Sequence, residues 1–299
     1  MLSGKGRGRI SARTEAAVRR AAEELGYRPN VAARVLRTGS ARTVGLVVPD
    51  ITHPFFGGVM RGAQEAAWRE GYAVVLADAA NDRDWELASL AALQALTVDG
   101  YLFFEVDPPP GEPLRAVAIE APGLGMPVVR LDSARGTRAA LEHLRDLGHT
   151  RIGHVASEVD TDTFRRRLDT FREVLGDTGL REVTAFTIDA AQAAARRLLE
   201  REDRPTAIFA DDDILAAGAY LAARELGLAI PSDLSVVGFD DLDVARLLDP
   251  PLTTVAADAK ALGAAAFEAL LTMLNGGAPE PERILPVELV VRGSTAPPG

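Results

Sequence analysis

Two doubly wound parallel-sheet units in tandem, an α/β fold, are what the sequence predicts, and three observations predict it. From Val44 onward, short apolar runs of buried-strand type alternate with amphipathic stretches of helical period, the pattern of parallel sheets covered by helices on both faces. The strands are too many for one comfortable open sheet. A restart at Gly148-His149-Thr150-Arg151 marks where a second unit begins.

In chain order, Ser11 opens a helix whose apolar residues Val18, Ala21, Ala22 and Leu25 share one face, and Gly26 with Pro29 closes it. Asn30 caps a short second segment that runs to Arg37 and stops at Gly39. The body then reads as strands over 44–48, 73–77, 100–104, 128–131, 151–155, 184–187, 206–209, 234–238 and 284–291. Helices are expected near 56–70, 84–96, 136–147, 163–176, 190–202, 212–226 and 258–276. Between 104 and 128 the connecting helix is expected to be squeezed to Pro113-Leu114-Arg115-Ala116, and Pro108-Pro109-Pro110-Gly111 reads as a surface loop. Two such units joined by crossover strands leave a cleft at the carboxyl ends of their strands, where ligands of open sheets bind.

The 299 residues, 47% hydrophobic, suffice for one large or two modest domains. No apolar run approaches the roughly 20 residues of a membrane span, and the basic N-terminus is not followed by an apolar signal core. A cytoplasmic protein that does not engage the membrane is therefore expected. The absence of cysteine excludes disulfides and thiolate metal sites. Charge divides unevenly: residues 1–42 carry ten Lys/Arg against Glu15, Glu23 and Glu24, a net +7, which leaves −17 for the rest of a chain whose total is −10. A basic head on an acidic body fits a polyanion-binding arm joined to a domain that keeps off nucleic acid. The alternative is a solvated helix face with a basic tail.

Enzyme readings find no support. Gly4-Lys5-Gly6-Arg7-Gly8 has no strand before it, and Gly57-Gly58-Val59-Met60-Arg61-Gly62 follows a strand but lacks the Lys-Ser/Thr of a phosphate loop. His143, His149 and His154 share no metal-ligand spacing, and Asp211-Asp212-Asp213 lacks the alternating oxygens and turn glycine of a calcium loop. No cofactor and no metal is expected.

The order of motifs resembles the lactose-repressor/galactose-repressor (LacI/GalR-like) family of transcription regulators. The likeness runs from the head through Val44-Gly45-Leu46-Val47-Val48 to Pro54-Phe55-Phe56, and on to the turn Glu142-His143-Leu144-Arg145-Asp146-Leu147-Gly148-His149. It continues through Arg167-Leu168-Asp169-Thr170-Phe171, Ala207-Ile208-Phe209-Ala210-Asp211-Asp212-Asp213 and Ser235-Val236-Val237-Gly238-Phe239-Asp240-Asp241. Pro250-Pro251-Leu252-Thr253-Thr254-Val255 and Glu288-Leu289-Val290-Val291-Arg292-Gly293-Ser294-Thr295 complete it. The resemblance implies a periplasmic-binding-protein type I core in two effector subdomains, 43–147 with about 255–281, and 148–254 with about 282–296. Residues 1–42 would be a truncated DNA-binding head and hinge, since the family's helix-turn-helix precedes the piece that here reads Leu2-Ser3-Gly4.

The resemblance also implies a small carbohydrate-like effector, a DNA operator reached through a full-length head, and a homodimer, with specific DNA binding expected to be lost in a chain whose head is truncated. Arg167 is the leading effector ligand, because a guanidinium forks onto neighbouring hydroxyls. Its alternative is membership of a solvated Arg165-Arg166-Arg167 run. Asp212 and Asp240, just after strands, suit sugar hydroxyls, with helix capping as the alternative. Phe55 and Phe56 offer one ring to stack on the ligand and one for the core. Asp132, Thr161 and Thr163 complete the set. In the hinge, Leu36 matches the family's minor-groove wedge, with Arg28, Asn30, Ala33, Arg34 and Arg37 as its DNA-contacting companions. Packing of Leu36 on the body is the alternative. Ala190 stands where the family often has an aromatic residue, so no particular sugar specificity carries over. The competing reading is a soluble sugar-binding or sensor protein without specific DNA binding.

Overall fold

A computed structural model describes residues 12–24, 39–106, 114–122, 125–176 and 180–299. The hinge residues Arg28, Asn30, Ala33, Arg34, Leu36 and Arg37 lie outside them. Helix α1 (Ala12–Glu24) is the described part of the head.

The first sheet is built from β1 (Thr43–Val48), β2 (Ala73–Asp78), β3 (Gly100–Phe104), β4 (Ala116–Ile119), β5 (Val128–Leu131) and β11 (Glu282–Leu285), in the spatial order β11-β5-β4-β3-β1-β2. The second comprises β6 (Ile152–Ser157), β7 (Arg181–Thr184), β8 (Ala207–Ala210), β9 (Ser235–Asp240), β10 (Thr253–Ala256) and β12 (Glu288–Val290), in the order β12-β10-β9-β8-β6-β7. Every pairing is parallel except β12 on β10. Because helices cover both faces, the central strands are apolar without alternation; β1, β3 and β8 are buried almost throughout.

The helices start where the sequence supplies a cap. Asp82 accepts from the amides of Asp84 and Trp85 to open α3 (Arg83–Ala95), and Thr187 accepts from Ala190 to open α6 (Ile188–Leu199). His53 accepts from Phe55 through Nδ1, with Pro54 in the first turn, and so opens α2 (Pro54–Arg69). Helices α2 and α9 (Ala259–Leu274) pack with backbones nearly touching. A Cβ on Gly62 would meet the Lys260 carbonyl oxygen at 1.9 Å, and one on Gly263 the Val59 carbonyl oxygen at 2.0 Å. The remaining helices are α4 (Ser133–Asp146), α5 (Asp162–Leu175), α7 (Asp213–Glu225) and the short α8 (Asp243–Leu247).

Four local expectations shift. The strand expected over 184–187 lies at 181–184, because Thr187 is spent on capping α6. The run 284–291 breaks into β11 and β12 at Pro286, which has no amide to donate to a ladder. The stretch read as a squeezed helix ends in strand β4, whose four residues are all buried, and β10 was too short and threonine-rich to stand out. Sheet membership differs as well. Residues 282–285 pair with β5 in the first sheet, and α4 packs against α5 and strands of the second. The chain thus passes between units near Asp132, at Ala257-Asp258 and at Pro286-Val287, not at 147–148 and 281–282.

Candidate functional site

The facing carboxyl ends of the two sheets enclose a cavity of about 310 Å³. That is the lower end of the range for small-molecule sites, so the space suits a ligand of monosaccharide to disaccharide scale. Its apolar wall is aromatic: Phe55, Phe56 and Phe104 from the first unit, Phe164 and Phe186 from the second. Phe56 stands edge-on to Phe104 with centroids 4.9 Å apart, while Phe55 is buried and leans on the same ring at 6.2 Å.

Arg167 projects from α5 and is almost wholly buried. Its guanidinium lies 3.6 Å above the centre of the Phe239 ring, and its Nη2 is 3.6 Å from Asp240 Oδ1. Nη1 donates to the carbonyl oxygen of Asp211. That carbonyl belongs to a residue held from its side chain, since Asp211 accepts from buried His154 at 2.8 Å and from the Ser157 amide at 2.9 Å. The Arg167 Nε has no partner, which leaves one donor of the fork unspent.

Three carboxylates reach the cavity from backbone conformations that side chains seldom adopt. Glu105 directly follows β3, Glu120 directly follows β4 and Asp240 ends β9, with φ of +48°, +62° and +99°. A non-glycine residue there costs on the order of 1–2 kcal/mol, and such strain gathers at ligand sites. Ile119 and Phe104 are register partners, so Glu105 and Glu120 sit side by side. Burial and the neighbouring Glu105 push the Glu120 carboxyl up to about 8. Burial also raises Glu105, and raises Asp240 well above the carboxylate range although Arg167 opposes it.

Among the described residues, polar groups of the two units meet across the cleft at two places. Glu105 accepts from the Thr163 amide at 3.2 Å, and Glu120 accepts from the Thr163 hydroxyl at 3.2 Å and the Leu131 amide at 2.6 Å. Thr161, at the cap position of α5, makes no capping bond of its own; the carboxylate of Glu105, from the other unit, serves an amide of that first turn instead. At the second place His53 Nε2 lies 3.2 Å from Asp212 Oδ2, and its ring is edge-on to Phe186 at 5.0 Å. Burial alone would lower the imidazole, but the close carboxylate of Asp212 more than offsets it, and His53 is held above the ordinary histidine value.

Of the residues singled out from sequence, Phe55, Phe56, Thr161, Thr163, Arg167 and Asp240 line the cavity together. Asp132 does not: it caps α4 through the Arg135 amide. Asp212 is also a cap, for α7, and does not itself line the cavity but lies behind His53 and Asp240. Sequence reasoning missed His53, Glu105, Glu120, Phe104, Phe164 and Phe186. The rule that picked Asp212 and Asp240, an acid just after a strand, also fits Glu105. It could not find Glu120 while β4 was unseen.

A two-unit α/β core with an enclosed polar and aromatic cavity between the units is the architecture of a periplasmic-binding-protein-like ligand receptor, and residues 141–295 match the family model described as "Periplasmic binding protein-like domain". The HTH-type transcriptional repressor CytR of Escherichia coli (strain K12) is 32% identical over 303 residues, 96% of this chain and 89% of that protein. Among solved structures, the transcriptional regulator CelR–cellobiose complex superposes with a TM-score of 0.76 at 31% identity, covering 97% of this chain and 93% of that one. A LacI family transcriptional regulator from Enterococcus faecium with bound ribose gives 0.74 at 29% identity, covering 85% and 99%. The chain belongs to the LacI family of transcriptional regulators. Its relatives there are regulators and not enzymes. Among the described residues no helix is long and apolar enough to cross a membrane.

Proposed function

We propose that this chain is the effector-responsive part of a cytoplasmic transcriptional regulator that takes a small carbohydrate-like ligand into the cavity between its two units. The observation that carries the reading is Arg167: it lines the cavity while buried, stacked on Phe239 and held by the Asp211 carbonyl and Asp240. Phe56 and Phe186 would face the apolar side of the ligand, while Asp240, Thr161 and Thr163 would take its hydroxyls. The relatives solved with cellobiose and with ribose support a sugar-sized occupant.

The regulatory step follows from the two cross-cleft contacts. A ligand that touches both walls binds the closed arrangement better than an open one and shifts the population toward it. Transmitted to the partner in a homodimer, that shift would change the spacing of two heads on operator DNA. Arg28, Asn30, Ala33, Arg34, Leu36 and Arg37 are the residues we assign to DNA contact.

The test is thermal denaturation of the full chain with a panel of mono- and disaccharides, followed by anisotropy of a labelled promoter fragment with and without any hit. A hit should raise the melting temperature and change DNA affinity, because a ligand bound only to the folded state stabilises it. Binding that survives Arg167→Ala overturns the site.

A further inference from the structure

We propose that the ligand carries a positively charged nitrogen, seated at the first unit's wall beside Glu105 and Glu120. The inference deepens the effector reading above and rests on it.

The argument begins with a charge balance. Among the described residues lining the cavity, the basic side chains are Arg167 and the titratable His53, against Asp50, Glu105, Glu120 and Asp240. The field of Arg167 reaches both glutamates and favours their ionised forms, but its direct contacts, like those of His53, are made elsewhere. Arg167 faces Asp240 and the Asp211 carbonyl, and His53 faces Asp212, which lies just behind the wall. Asp50 is engaged by the Thr52 amide and hydroxyl. What remains is an adjacent pair, Glu105 and Glu120, whose hydrogen-bond partners are an amide and a hydroxyl of Thr163 and the Leu131 amide. Neither makes an ion pair with a cation among the described residues. Two buried carboxylates without a counter-ion cost several kcal/mol unless a proton or a cation joins them. Burial and the adjacent Glu105 accordingly raise the Glu120 carboxyl, the direction expected of an acid without a contacting cation.

The second observation is independent of charge. The same cavity is walled by phenylalanine rings, Phe55, Phe56 and Phe104 on the side that carries the two glutamates and Phe164 and Phe186 opposite. Aromatic faces combined with carboxylates are how proteins hold ammonium groups, at about 0.5–2 kcal/mol per ring contact. A neutral sugar needs acceptors too, but Asp240 and the threonines supply them without a strained acid pair. The left-handed backbone at both Glu105 and Glu120 spends free energy to hold two acids side by side against Thr163. A cationic group of the ligand is the partner that pair fits. Because Glu105 also caps α5 of the other unit, a ligand held there braces both walls at once. The class is a small polyhydroxylated amine, such as an amino sugar.

The experiment measures binding of matched probes to the full chain at pH 7: D-glucosamine and D-galactosamine, their neutral parents D-glucose and D-galactose, and the neutral amide N-acetyl-D-glucosamine. The expected result is that an amine binds at least tenfold more tightly than its parent and its amide. Glu120→Gln and Glu105→Gln should each erase that preference while leaving cooperative unfolding intact. If neutral sugars bind as tightly as the amines and binding depends on Arg167, the cationic ligand is overturned and the effector site stands. If no member of the panel binds, the amine proposal and the carbohydrate reading fall together. A preference for amines that persists in both glutamine variants places the charge elsewhere and also overturns the assignment.

Discussion

Replacing Glu120 by glutamine should change how the stability of this protein depends on pH, and the size of the change follows from the site. The Glu120 carboxyl is buried beside Glu105 and titrates at about 8 against an ordinary 4.5. Between those values the folded chain holds a proton that the unfolded chain has released. Raising the pH therefore favours unfolding, by up to about 1.4 kcal/mol per pH unit. The stabilisation is complete below about 4.5 and lost as pH rises through about 8; across the window it sums to about 5 kcal/mol, an upper bound that opening of the cleft would reduce by readmitting water. Glutamine is nearly isosteric and keeps an oxygen for the Leu131 amide, but it does not titrate. Glu105, Asp240 and Asp213 shift in the same direction and remain in both proteins, so the difference between them reports Glu120 together with its coupling to Glu105. Urea denaturation from pH 5 to 8.5 reads it. The wild type should lose stability steadily above pH 5, and Glu120→Gln should lose less and become the more stable protein near pH 8. Parallel curves would refute the reasoning.

Other outcomes follow from single contacts. Arg167→Ala should abolish ligand binding and also cost about 2–4 kcal/mol in denaturant unfolding, since it strips the Asp211 carbonyl and buried Asp240 of their partner; an unchanged midpoint would contradict that packing. Gly62→Ala should destabilise by about 1–3 kcal/mol or more, because its methyl group meets the Lys260 backbone and helices α2 and α9 must move apart. His149→Ala should loosen the C-terminal tail, because this imidazole contacts Thr206, Ser235 and the Ala296 carbonyl at 2.9–3.0 Å. Faster hydrogen exchange at residues 294–298 would show it. Burial lowers the His149 ring below its usual value, so the wild type should lose stability as pH falls through about 6.5, where the unfolded histidine takes a proton the folded one resists, and the variant should lose less.

Much of the architecture was legible because the physics behind it is local. Buried parallel strands such as Val44–Val48 must be uniformly apolar, and helices such as 83–95 announce themselves by an aspartate at the cap and a periodic apolar face. The losses have a different cause. Strand β4 is four residues of Ala, Val, Ala and Ile beside a proline-rich stretch, and only pairing with β3 and β5 makes it a strand. Within the cavity, Arg167 and Asp240 could be picked by residue type and position after a strand. Phe164 and Phe186 could not, because nothing local distinguishes a ring that faces a cavity from one that packs in a core. Asp132 and Asp212 show the same ambiguity from the other side. An acid after a strand serves a cap and a ligand equally well by sequence, and both proved to be caps. His53 was hidden by its neighbours, since its partner Asp212 lies 159 positions along the chain.

The three passages of the chain between the units have a consequence for how this protein can be made and divided. The first sheet needs β11 at its edge, outside β5, yet the whole of the second sheet apart from β12 is encoded between those two strands. On the ribosome, the half begun first is thus closed almost last, and the β5 edge waits unpaired through the synthesis of some 150 intervening residues. No single cut releases either half with all its strands, so a gene fragment ending before residue 282 would yield neither half intact. Recombination with a relative would have to exchange both halves together or accept three junctions.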